Sequence, residues 1–111
     1  MPRRVEDPNW TDPGLLVLAS LAEEAKHGYA IIQDVEATTG VRLGPGTLYG
    51  ALSRLEQRGL IEPLDGDDPR RRPYRLTSQG SAVLAERLEN MRRFAAMGRR
   101  RLAASPTVRP A

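Results

Sequence analysis

At 111 residues the chain has room for one small domain and, at most, a projecting element, which excludes a deep catalytic cleft of its own. It has no cysteine and a single histidine, so disulfides, thiolate metal sites and a histidine-driven acid/base pair or metal cluster are excluded as well. The net charge of +3 hides an uneven distribution, since residues 1–68 sum to −6 and residues 69–111 to +9, a footprint suited to a polyanionic partner. The cations are sixteen arginines and one lysine, a choice that coding bias can also produce, so the polarity of the chain is the stronger signal.

Residues 1–11 read as an N-terminal arm. Met1-Pro2-Arg3-Arg4 leads into acidic and polar residues, and no apolar run approaches a bilayer-spanning length, so the expectation is a soluble, cytoplasmic protein with no membrane partner. Trp10 either caps the core or packs on a partner subunit. Asp12-Pro13 predicts an N-cap followed by proline at the first helical position, and Leu15 to Ala22 is apolar nearly all round, so this helix must be covered on more than one side. Glu23 to Gly28 breaks the pattern, with His27 expected to help set the turn into a second helix. That helix resumes over Tyr29 to Glu36 with Ile31, Ile32 and Val35 inward, and Thr38 to Leu43 reads as a turn.

The stretch Gly44 to Gly59 predicts a short helix with Pro45 at its first position and Gly59 as the left-handed residue after its last turn. Leu48, Leu52 and Leu55 share one face. At about 100° per residue, Gly46, Gly50, Ser53, Arg54 and Gln57 point the other way, with Thr47 and Tyr49 on the flanks. That face is small, polar and cationic, and the helix start favours a phosphate. It is either a recognition helix for DNA or a routine core helix with an ordinary surface.

Leu60 to Leu64 and Tyr74 to Thr77 are short extended runs separated by turn formers, including Asp65-Gly66 and Asp68-Pro69, so they predict a hairpin whose tip carries Arg70, Arg71 and Arg72. Two strands alone are marginal in water and must lie on the helices. Three helices and a hairpin, over residues 12–77, are the order of a winged helix-turn-helix DNA-binding domain, whose third helix enters the major groove. The fold class expected is mainly α with a two-stranded β wing and a long C-terminal dimerisation helix.

That last helix is expected over residues 78–103, capped by Thr77 or Ser78, with a disordered tail at 104–111. Leu84, Leu88, Met91, Ala95, Gly98 and Leu102 follow heptad spacing, so the stripe needs a partner, and a second copy of the chain is the expected one. Folding back on its own domain is the alternative. Phe94 and Met97 widen the stripe. With Met91 they are either plain dimer core or the lining of a pocket for a small apolar or aromatic effector.

With these residues in hand, the chain resembles the PadR-like family of transcriptional regulators in its short form, with one C-terminal dimerisation helix. The resemblance covers about residues 13–102 and rests on Leu15 to Leu21 with His27-Gly28-Tyr29-Ala30-Ile31, on Gly46-Thr47-Leu48-Tyr49 with Leu52, Arg54-Leu55-Glu56 and Gly59-Leu60-Ile61, and on Tyr74 to Gly80 after an Arg-rich wing. It implies a homodimer on a pseudo-palindromic operator, usually a repressor relieved by a small molecule or another signal. Two positions depart from the family's habit. Gly44 stands where relatives often place a Ser or Thr cap, and Gly50 where they often have Pro or a larger residue.

The candidate DNA contacts are Tyr29, Thr47, Tyr49, Gly50, Ser53, Arg54, Arg70, Arg71 and Arg72. The resemblance supports phosphate contact by the two tyrosines, which could instead rest on the core. Thr47, Ser53 and Arg54 are the base-edge candidates, although Arg54 could pair with Glu56 or Glu62. The wing arginines suit phosphates or a narrow minor groove, or are solvated charges beside Asp67 and Asp68. No cofactor or metal is expected, and no carboxylate has a second catalytic group at a persuasive spacing, so the expectation is a binding protein and not an enzyme. The competing function is a winged-helix module that docks a protein, but such a module gains little from three adjacent arginines at its tip.

Overall fold

In the computed structural model, which describes residues 12–66, 68 and 71–107, helix α1 (Pro13–Glu23) starts as its sequence demands. Asp12 accepts a hydrogen bond from the Leu15 N–H at 3.0 Å, and Pro13 sits in the first turn, where its missing N–H costs nothing. Helix α2 (Gly28–Thr39) is capped by the His27 ring and ends at Gly40, which is left-handed at φ 79°. Helix α3 (Pro45–Gln57) follows Gly44, which offers no side-chain cap. It ends through Arg58 into Gly59, left-handed at φ 74° as expected. Strands β1 (Ile61–Pro63) and β2 (Tyr74–Leu76) pair antiparallel with Ile61 opposite Leu76. Helix α4 (Ser78–Ala104) is capped by Thr77. The fold is therefore mainly helical with a two-stranded wing.

The N-terminal arm with Trp10, the wing residue Arg70 and residues 108–111 lie outside the described residues. Ala104, expected in the tail, is still helical, and Ser105 to Thr107 make a small turn in which Ser105 Oγ accepts from the Thr107 N–H.

Helix α1 lies at the centre because it is apolar nearly all round. It packs against α2, α3, α4 and β2, and Leu15 to Leu18 and Leu21 are all buried. Ile31 and Val35 from α2, Leu48, Leu52 and Leu55 from α3, and Leu60, Ile61 and Leu84 close the same core.

The chain's one lysine is inside. Lys26 Nζ donates to the Ser20 carbonyl at 2.6 Å and faces Glu23 at 3.2 Å and Asp34 at 4.0 Å, while Asp34 accepts from Ser20 Oγ at 2.7 Å. A compact ammonium with three donors can be satisfied by three converging oxygens, so the burial is compensated. The Lys26 backbone also exchanges both hydrogen bonds with Tyr74, at 3.1 and 2.9 Å, which adds one rung to the wing sheet. The wing is thereby tied to the α1–α2 junction.

The start of α4 is locked to the end of α3. Thr77 donates its N–H to the Leu60 carbonyl at 3.1 Å and its hydroxyl to the Gly59 carbonyl at 2.6 Å, and its Oγ1 accepts from the Gly80 N–H at 3.0 Å. Helix and loop meet so closely that a Cβ on Gly80 would lie 1.9 Å from the Leu60 carbonyl oxygen. Only glycine fits there. From this joint α4 extends about 40 Å, at 1.5 Å per residue, and the molecule measures 61 × 35 × 24 Å.

Candidate nucleic-acid interface

The face of α3 opposite its leucines is open. Gly46, Thr47, Ser53, Arg54 and Gln57 are exposed, whereas Leu48, Ala51, Leu52 and Leu55 are buried. Thr47 and Ser53 thus have the orientation their spacing predicts. Arg54 has no ion pair among the described residues, and Glu62, one of its expected alternatives, pairs with Arg75 across the hairpin. The Arg54 guanidinium folds back over Gly50, so that a Cβ on Gly50 would lie 3.3 Å from Nη1. Arg54 also borders a groove that Arg58 and Arg87 line, so it stands at the flank of the exposed face.

The starts of α2 and α3 touch through Gly28. A Cβ there would meet the Tyr49 hydroxyl at 2.8 Å, its ring at 3.1 Å and the Leu48 side chain at 3.2 Å. This approach sets Tyr49 beside Tyr29, and both rings stay half or more exposed. With His27, Gln33 and Arg71 they line an open groove of about 590 Å³ between the two helix starts and the tip of the wing. Arg71 and Arg72 are exposed and make no ion pair among the described residues. Behind the groove, burial pushes the Tyr74 phenol above its ordinary value of 10.0, helped by the Glu56 carboxylate and Tyr49 and opposed by Arg72.

A surface of small polar residues, exposed phenols and guanidinium groups without ion pairs among the described residues is suited to a polyanion. The model of the transcriptional regulator PadR-like family matches residues 17–86, which is more than half of the chain and includes every element from α1 to the first third of α4. The chain belongs to the PadR-like family of transcriptional regulators. It is 40% identical over 74 residues to a transcriptional regulator of Mycobacterium tuberculosis, a match covering 65% of this chain and 68% of that one. An uncharacterized protein of transposon TN4556 from Streptomyces fradiae is 46% identical over 83 residues, or 75% of this chain, which spans only 24% of that protein's length. Among solved structures, a transcriptional regulator from Clostridium thermocellum superposes with a TM-score of 0.75 at 25% identity, covering 88% of this chain and 97% of that one.

In this PadR-like chain the residues assigned to the α4 stripe divide. Leu84 is buried in its own domain and Met91 packs half-buried against the same core, so the early stripe serves the winged domain first. Leu88, Phe94 and Leu102 are 49%, 70% and 58% exposed. Ala95 is also exposed, and Met97 and Gly98 are partly covered. No helix among the described residues is long and apolar enough to cross a membrane.

The turn that His27 is expected to help set is made by a specific cap, and two neighbouring residues have roles with little signal in the sequence. His27 is the N-cap of α2, with Nδ1 accepting from the Ala30 N–H at 3.3 Å, although histidine is not among the preferred caps. Gly28 is needed for the contact between α2 and Tyr49, and Lys26 anchors the wing.

Proposed function

We propose that the chain is a homodimeric repressor that binds a pseudo-palindromic operator, with α3 in the major groove and the wing on the flanking backbone. The observation that carries this is the pairing of two open faces on one rigid unit, the small polar face of α3 with its unpaired arginines and the exposed apolar stripe of distal α4. Thr47 and Ser53 read base edges, and Arg54 reaches a base or phosphate from the flank of α3. Tyr29, Tyr49, Arg70, Arg71 and Arg72 hold phosphates, and Gly50 lets the backbone come close. Leu88, Phe94, Ala95, Gly98 and Leu102, continuing from Leu84 and Met91, meet the same residues of a second copy across a two-fold axis.

The mechanism is steric. Two recognition helices must meet half-sites about 34 Å apart, and that separation is set by how the two α4 helices cross. The joint at Thr77 and Gly80 fixes α4 to the end of α3, so a change in crossing moves the recognition helix with it. An apolar or aromatic effector seated beside Met91, Phe94 and Met97 releases the operator only by preferring the displaced crossing. The protein works in the cytoplasm, where the chromosome is.

The test is a gel shift on duplexes selected from fragmented genomic DNA, repeated over a series of salt concentrations. A shift that steepens as salt falls is expected, and no shift on any fragment at low salt would overturn the DNA reading in favour of a protein-docking module. Compounds that release the wild-type complex but not that of Phe94→Ala would locate the effector at the seam.

A further inference from the structure

We infer that His27 has a second role beyond capping α2: its Nε2–H donates to a backbone phosphate seated in the groove between the helix starts and the wing. This rests on the reading of that face as a DNA surface and adds a contact that the residue's sequence position did not suggest.

The tautomer carries the inference. Because Nδ1 accepts the Ala30 N–H at 3.3 Å, it has no proton, and a neutral imidazole then bears its hydrogen on Nε2. Nε2 is at the far side of the ring from the cap, and the bond to Nδ1 is the one hydrogen bond the ring makes among the described residues. His27 lines the same groove as the rings of Tyr29 and Tyr49 and the guanidinium of Arg71. An imidazole N–H, phenolic O–H groups and a guanidinium therefore line one open space, together with the Gln33 amide and the Asp68 carboxylate on its wing side. A phosphodiester has four accepting oxygens and no donor, which is the chemistry this lining complements. The cap keeps the imidazole at the groove before DNA arrives.

The experiment separates capping from contact. Asn and Ser are good caps, and neither reaches as far as Nε2, so His27→Asn and His27→Ser keep the cap and lose the donor, while His27→Ala loses both. Full-length proteins are compared on one wild-type-selected duplex and on one unrelated duplex of equal length, well below their melting temperatures. The capped variants are expected to melt like the wild type, to bind both duplexes about tenfold more weakly, as loss of a hydrogen bond to a charged group implies, and to keep the salt dependence of the wild type because a neutral donor releases no counterion. Arg71→Ala, by contrast, flattens that dependence. If either capped variant binds as tightly as the wild type, His27 is a cap and nothing more. A wild type that binds neither duplex overturns the DNA reading and this inference with it, and a salt dependence flattened in the capped variants would show that the residue acts as a cation and overturn the neutral-donor assignment.

Discussion

Leu52 on α3 and Leu88 on α4 are both leucines on apolar stripes of helical spacing, and their environments are opposite. Leu52 is almost fully buried among residues of its own chain, while Leu88 is half exposed. The difference lies in what surrounds the stripe. α3 is short and ends at a glycine, after which Leu60 and Ile61 join its leucines in one core, whereas α4 runs on past the domain, with Leu84 and Met91 resting on that core while Leu88 between them and Phe94 and Leu102 beyond them stay exposed among the described residues. Periodicity therefore shows which face of a helix seeks cover, and the reach of the remaining chain decides whether the cover is internal.

The largest expected effect breaks the closed side. Leu52→Ala should cost about 3 kcal/mol through lost burial and the cavity left behind, which for a domain of this size lowers the melting temperature by on the order of 10 °C or more. A melting curve within a degree or two of the wild type would mean that α3 is not held by this core.

The next acts on the open side alone. Leu88→Asp places a carboxylate in the proposed seam, where its desolvation cannot be compensated, but in the free chain the same position is wet. Light scattering is expected to report a monomer that keeps its helical circular dichroism. A dimer of unchanged mass would put the interface elsewhere on the molecule.

Most of the fold was legible because its boundaries are local chemistry. Asp12, Pro13, Pro45, Gly59 and Thr77 each act on backbone groups within a few residues, and the structure puts each at the helix end its type predicts. What local chemistry does not announce is the pairing of distant segments. Nothing near Lys26 signals that its backbone pairs with Tyr74, since one rung has no period. Gly80 looks like an unfavourable residue in a first helical turn until the Leu60 carbonyl is seen against it. On the candidate interface, orientation was legible for Thr47 and Ser53, while the fold of Arg54 over Gly50 and the capping role of His27 depend on side-chain geometry that spacing does not encode.

A third measurement compares the two parts of the open basic surface. Arg71→Ala with Arg72→Ala should weaken binding to every duplex alike and reduce the salt slope by about one unit for each phosphate that is no longer neutralised. Ser53→Ala should leave that slope unchanged and relax base preference at one position of each half-site, by about 1–3 kcal/mol. The same uniform loss from both would show that wing and helix do not divide the work.

The smallest effect is also the one whose sign is most informative. Gly50 is an interior residue of α3, and replacing it by alanine should stabilise the helix by up to about 1 kcal/mol. Space permits this, because the only atom near a new Cβ is Arg54 Nη1 at 3.3 Å, the far end of a flexible side chain that can swing away. Gly50→Ala is therefore expected to melt a few degrees higher than the wild type. If glycine is present because the α3 backbone lies against the DNA, the same methyl group must hold that backbone off, and displacing Arg54 moves a guanidinium from its place at the flank. Affinity for the operator should then fall severalfold while stability rises. Stability and affinity changing in opposite directions would place Gly50 at the DNA, and a variant that is more stable and binds equally well would make Gly50 a position the interface does not use.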